Sequence, residues 1–167
     1  MRFFRDLSPE SQHQRFLSVA GPTDAVVDRL CAGASETAAV TLIAWRHVDG
    51  ERRPIAVASY TTIGNSAAEV AFAVDDHFQG RGIATAMLER LAAIAASHGF
   101  RTFHAVTSVD NGAMLEVFRD SGFEMRSRSA QGIADVRLNL SVSGNGAATI
   151  DARQRRATVA SLGPILT

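Results

Sequence analysis

Two groups of residues in this chain have types and spacing that could do chemistry, and both lie in one stretch, EVAFAVDDHFQGRGIA, residues 69–84. The first is Gln79-Gly80-Arg81-Gly82-Ile83-Ala84. Its glycines let the backbone come close to a ligand, the first amides of a following helix have no partner within that helix, and Arg81 adds a cation. That is the chemistry of a phosphate site, although a tight strand-to-helix turn without a ligand would read the same way. The second is Glu69. Strand alternation puts it on one face with Ala71 and Ala73, whose small side chains leave a groove, while Val70, Phe72 and Val74 point to the other face. A carboxylate there can take a proton from an attacking amine, or it can be a solvated group at a strand start. Neither common nucleotide fingerprint fits. The dinucleotide pattern needs Gly or Ala where Thr85 stands, and the nucleotide loop needs a Gly-Lys-Ser or Gly-Lys-Thr that is absent.

The other reactive side chains offer less. Cys31, the single cysteine, sits near Val27 and Leu30 at helical spacing and is expected to be buried and inert. His13, His47, His77, His98 and His104 are scattered without ligand spacing, so no metal site is expected. His77 is expected to be solvated, and Asp75 and Asp76 to shape the turn and face solvent.

Elements must hold these groups in place. Ser8, Pro9 and Glu10 read as an N-cap followed by the first helical turn, with the helix running to about Leu17. A second short helix is expected from Thr23 or Asp24 to Gly33. Residues 39–45 (AVTLIAW) and 55–60 read as strands joined across Asp49-Gly50, and 69–74 as a third, giving an antiparallel meander. After Gly82, Ile83, Met87, Leu91 and Ile94 form one stripe of a buried helix that ends near His98-Gly99. Residues 100–106 then read as a strand parallel to 69–74, through the one right-handed βαβ crossover. Asp110-Asn111 caps a helix carrying Met114, Leu115 and Phe118, and residues 123–127 and 134–140 form a closing hairpin around Gln131-Gly132. The expected fold class is α/β of the α+β kind, a mixed and mostly antiparallel sheet with flanking helices. Residues 1–140 make the domain, and 141–167 a linker and a tail whose Arg153, Arg155 and Arg156 form a solvated face.

With 17 basic and 17 acidic residues in 167, the chain has no net field to draw it to nucleic acid or an anionic membrane. No apolar run nears the ~18 residues that cross a bilayer, and the N-terminus is too polar for a signal peptide. A cytoplasmic protein is expected.

The segment Gln79-Gly80-Arg81-Gly82-Ile83-Ala84 resembles the acetyl-CoA motif of the GCN5-related N-acetyltransferases: Gln or Arg, two residues, Gly, one residue, then Gly or Ala. Asn111 with Gly122-Phe123 falls where that family has its second half-site, and the resemblance covers about residues 39–140. More narrowly, RFFRDLSPESQHQRF and AEVAFAVDDHFQGRGIA resemble bacterial protein lysine acetyltransferases of the Pat type, and the tail RQRRATVASLGPIL resembles the join to an acyl-CoA-synthetase-like region. The resemblance implies that the family's first strand and part of its first helix are missing here. It also implies acetyl-CoA as co-substrate, held at the pyrophosphate by the amides of Gln79, Gly80, Arg81, Gly82, Ile83 and Ala84. Ala73 and Val74 would pair with the pantetheine arm, Phe72 or a neighbour would give an N–H to the oxyanion, Asn111 would bond the arm near the thiol, and Met114 would pack on it. The resemblance turns Glu69 into the general base and a protein lysine, on an acyl-CoA synthetase among other acceptors, into the acceptor. Phe118 stands where many relatives carry an acidic tyrosine, and Tyr60 is the only tyrosine, so no general acid is assigned. A small-amine acetyltransferase and a coenzyme A-binding module without chemistry are the alternatives.

Overall fold

A computed structural model describes residues 2–17 and 39–141. In chain order the elements are α1 (Arg2–Asp6), α2 (Pro9–Phe16), β1 (Ala39–Val48), β2 (Glu51–Thr62), β3 (Ala67–Val74), a single 3-10 turn (Asp76–Phe78), α3 (Ile83–Ser97), β4 (Thr102–Ser108), α4 (Gly112–Asp120), β5 (Glu124–Ala130) and β6 (Ile133–Asn139). The expected helix from Thr23 or Asp24 to Gly33, with Cys31, and the linker and tail beyond Ser141 lie outside the described residues.

The strands form one sheet in the order β1-β2-β3-β4-β6-β5, antiparallel throughout except between β3 and β4. Both expected hairpins close on left-handed turn residues, Asp49 and Gly50 in one and Gln131 and Gly132 in the other, as two-residue loops between right-twisted strands require. The first hairpin runs longer than its apolar residues suggest. β1 continues through the exposed Arg46 and His47, past a bulge at Ala44/Trp45 that accommodates Pro54 on β2.

One face of the sheet carries α3 and α4. Their Leu88, Leu91 and Phe118 bury against Tyr60, Val70 and Phe103, all nearly inaccessible. Tyr60 belongs wholly to this core: its hydroxyl lies 2.7 Å from His98 Nδ1, and burial pushes its pKa up. The end of α3 explains why β4 begins later than its apolar run. Phe100 N–H donates to Ala95 O across Gly99 at φ +89°, so Phe100 closes the helix before the strand starts. On the opposite face Phe3 and Phe4 of α1, and Leu7 just after it, bury against Val57 and Ala73. α2 lies beside it over β3 and β4, with Phe16 edge-on to Phe4 at 5.4 Å.

Candidate active site

β3 and β4 pair at only three positions, Ala67 with Thr102, Ala68 with Phe103 and Glu69 with His104. Beyond them β3 stays bonded to β2 as far as Val74, and β4 to β6 as far as Ser108. The facing edges, residues 70–74 and 105–108, therefore separate with no strand between them, which leaves edge amides and carbonyls for another partner, Val74 O excepted, which accepts from Gln79 Nε2 at 3.2 Å. The result is a V with Glu69 at its apex and a cleft of about 370 Å³ between its arms.

The wide end is closed by the Gly-rich turn. Asp75 caps the 3-10 turn by accepting from His77 N–H at 2.9 Å. Gly80 and Gly82 then take φ +68° and +75°, and Gly82 becomes the N-cap of α3 without any side-chain cap. The left-handed values are what glycine supplies without strain. A 15-residue helix thus presents its first amides, and the positive end of its dipole, to the cleft.

The structure brings most of the expected site residues together. Phe72, Ala73, Val74, Gln79, Gly80, Gly82, Ile83, Ala84, Asn111 and Met114 all line this one cleft. Asn111 is nearly buried and caps α4, its Oδ1 accepting from Met114 N–H at 3.1 Å, which leaves its NH2 as the donor for a ligand. Phe118 packs edge-to-face on Phe72 at 6.2 Å and serves the core and the cleft wall together. Two expected residues stand apart. Arg81 lies at the rim with its guanidinium 5.2 Å from the centre of the Phe78 ring, which Arg46 of β1 also approaches at 5.6 Å. Glu69 is exposed and sits one residue before Val70, where the lining of the cleft begins.

Other residues, beyond those expected, line the site. α2 contributes Ser11, Gln14 and Arg15. Arg15 donates from Nη2 to Ser59 Oγ at 3.3 Å and stacks on Phe16, while its buried Nε has no partner. Burial pushes the Arg15 pKa down to about 10, and the charge of Glu69 partly offsets that. Thr107 on β4 also lines the cleft, with its buried hydroxyl unpartnered. Strand alternation from Phe103 and Ala105 would have put Thr107 on the helix-covered face; nothing comparable marks Arg15.

Asp76 is exposed, as expected, and does more than shape the turn: its carboxylate accepts from Ser8 N–H at 2.9 Å, Ser8 Oγ at 2.7 Å and Ser11 Oγ at 2.7 Å. Partial burial raises its pKa, but these bonds outweigh that and hold the group below the usual carboxylate range. His77 is exposed and 3.1 Å from Asp75. Among the described residues no group of three or more His, Cys, Asp or Glu is placed to hold a metal, and no helix is long and apolar enough to cross a membrane.

Comparison with known proteins agrees with this geometry. The chain is 29% identical over 124 residues to an acetyltransferase of Pseudomonas aeruginosa, covering 73% of this chain and 66% of that one. It is 35% identical over 115 residues to acetyltransferase Pat of Mycolicibacterium smegmatis, covering 67% of this chain and 33% of that protein. The aligned region is thus a part of each relative, a third in the second case. The crystal structure of the GNAT domain of S. lividans PAT superposes with a TM-score of 0.70 at 32% identity, over 83% of this chain and 81% of that domain. Residues 6–123 match the acetyltransferase (GNAT) family, and with its split sheet and glycine-opened helix the chain belongs to that family.

Proposed function

We propose that the chain is an acetyl-CoA-dependent N-acetyltransferase that acts on the ε-amine of a protein lysine. The observation that carries this reading is the V between β3 and β4, which ends at the uncapped start of α3. An extended amide-bearing arm laid along residues 70–74 would complete the unpaired strand edge, and its pyrophosphate would meet the amides from Gln79 to Ala84. Coenzyme A has both parts in that order. Ala73 and Val74 pair with the pantetheine, Asn111 bonds the arm toward the thiol, Met114 packs on it, and Arg81 and Phe78 form the rim over the phosphates.

The likeness to Pat of M. smegmatis and to the S. lividans PAT domain supports a protein acceptor, with an acyl-CoA synthetase as the acceptor to test first. Arg15 in the cleft wall disfavours a small polycation there. Residues 1–140 act as the transferase domain, with 141–167 as linker and tail, in the cytoplasm where acetyl-CoA and the acceptor meet.

A lysine ammonium has a pKa of about 10.4 and must lose a proton before it attacks. Glu69 takes it. Because Glu69 lies just outside the cleft lining, the proton passes through one water. The neutral amine adds to the thioester carbonyl, and an N–H from the Phe72 region of β3 steadies the oxyanion. The C–S bond then breaks, its electron pair leaves on sulfur, and the second proton of the former amine passes from nitrogen to the departing thiolate or to water, leaving a neutral amide. A thiol near pKa 8.5 makes a thiolate that departs without an acid, which suits a chain whose one tyrosine lies outside the cleft, buried in the core against His98.

The test is Glu69→Gln. We expect coenzyme A binding by calorimetry to be unchanged and transfer to a lysine acceptor at neutral pH to fall by about 100-fold or more. An unchanged rate would remove Glu69 from the mechanism. Mass spectrometry of a host lysate incubated with labelled acetyl-CoA, beside a screen of small amines, separates a protein acceptor from a small one.

A further inference from the structure

α2 is eight residues long and buries none of them fully. A helix that short is marginal in water and must be held from outside. Its C-terminal end is held by apolar contact, Phe16 on Phe4, and by Arg15 on Ser59. Its N-terminal end is tethered through Leu7, buried just before the cap, but its own first turn carries no buried apolar residue. There Ser8 caps the helix by accepting from Ser11 N–H at 3.2 Å, and the cap is itself gripped by Asp76. Three donors from α2 and its cap, Ser8 N–H, Ser8 Oγ and Ser11 Oγ, converge on that one carboxylate.

Ser11 Oγ is the hub. It donates its single hydrogen to Asp76 and accepts from Gln79 Nε2 at 3.1 Å, while the same Nε2 also reaches Val74 O at 3.2 Å. One hydroxyl thus joins α2 to the first residue of the 3-10 turn after β3 and to the first residue of the Gly-rich turn. Hydrogen bonds to a charged acceptor are about twice as strong as neutral ones, so Asp76 dominates the cluster. Ser11, Gln14 and Arg15 follow on the helix face that lines the cleft.

We infer that Asp76, with Ser8, Ser11 and Gln79, is a positioning cluster that transmits occupancy of the Gly-rich turn to α2, so that filling the turn fixes the wall formed by Gln14 and Arg15. The inference rests on the coenzyme A reading of that turn. Asp76 touches neither substrate. A ligand that immobilises Gln79 and Gly80 removes motion from the residue that holds Ser11, and α2 then has both ends fixed. Coupling of this kind is reciprocal: an acceptor seated against α2 tightens coenzyme binding by the factor with which coenzyme tightens acceptor binding.

The experiment is hydrogen exchange on the full chain with and without coenzyme A. In the wild type we expect coenzyme A to slow exchange at residues 80–86 and, about tenfold, at residues 11–17. In Asp76→Asn, and separately in Ser11→Ala, which keeps the carboxylate and the Ser8 cap, we expect residues 80–86 to be protected as before while protection at 11–17 no longer responds to coenzyme A. The KM for the lysine acceptor should rise while that for acetyl-CoA stays within about threefold. Ligand-dependent protection of α2 that persists in both variants overturns the inference, as does a wild type in which the turn responds and α2 does not. A wild type that binds no coenzyme A overturns the reading of the cleft itself and is told apart by the absence of any response at residues 80–86.

Discussion

Arg15 is where stability and use conflict most plainly. Its Nε is buried without a partner and burial, partly offset by Glu69, pulls its pKa down to about 10, so the charge is held at a cost and remains protonated at neutral pH. Exchanging an unsatisfied buried ion for an apolar chain of similar length is often neutral or stabilising by about 1 kcal/mol or more. Arg15→Met should therefore match or exceed the wild type in thermal midpoint, while transfer to a lysine acceptor falls by about tenfold because the attraction between this cation and Glu69 is lost. A lower midpoint in calorimetry, or full activity, would contradict that account. The two glycines were readable in the sequence because their left-handed backbone favours glycine, and Gln79, which is extended, because it opens the motif that the glycines continue. Arg15 and Ser11 were not, since each gains its role from a neighbour far along the chain. Asp76 is in the turn and exposed, as expected, but its partners Ser8 and Ser11 were illegible for the same reason. A pair of acids in a turn looks merely solvated unless one knows that a helix cap 68 residues earlier lies against it.

At the level of elements, the decisive join is the one between β3 and α3. A Cβ at Gly82 would meet no protein atom within 4 Å, so its φ of +75° is the only internal obstacle to a side chain there. Gly82→Ala should cost about 1–2 kcal/mol in the free protein. The methyl group would project into space left for the ligand, so calorimetry should show coenzyme A affinity falling further than that strain explains. An affinity equal to that of the wild type would mean that the ligand does not approach this turn. The elements themselves were largely visible as patterns: period-two alternation for β3, the 3.6-residue stripe of α3, and Asn111 as a cap. Their ends were less visible. β1 outran its apolar residues because the Asp49-Gly50 turn lies beyond Trp45 and pairing continues up to it, and β4 started late because Phe100 finishes a helix.

Across the whole molecule, the sheet is two half-sheets. β1, β2 and β3 form one and β4, β6 and β5 the other, joined by three residue pairs and by the helices packed over their common face. The mixed sheet and its single crossover could be inferred from element order. That β3 and β4 part after Glu69 could not, because splaying is a property of two strands and of what is wedged beside them, and neither sequence records it alone.

The same gap has a bearing on how long each copy of the protein survives. Any ligand that binds the folded chain alone adds stability, about 2.7 kcal/mol at a hundred times its dissociation constant, and here it would do so at the weakest seam. Limited proteolysis should show the half-life of the chain rising with coenzyme A concentration, and first cuts lying near the β3–β4 seam should disappear; cleavage indifferent to coenzyme A would exclude this. A cell short of acetyl-CoA would then lose the catalyst as well as the reagent, with degradation setting the abundance of the protein by the supply of the metabolite it consumes.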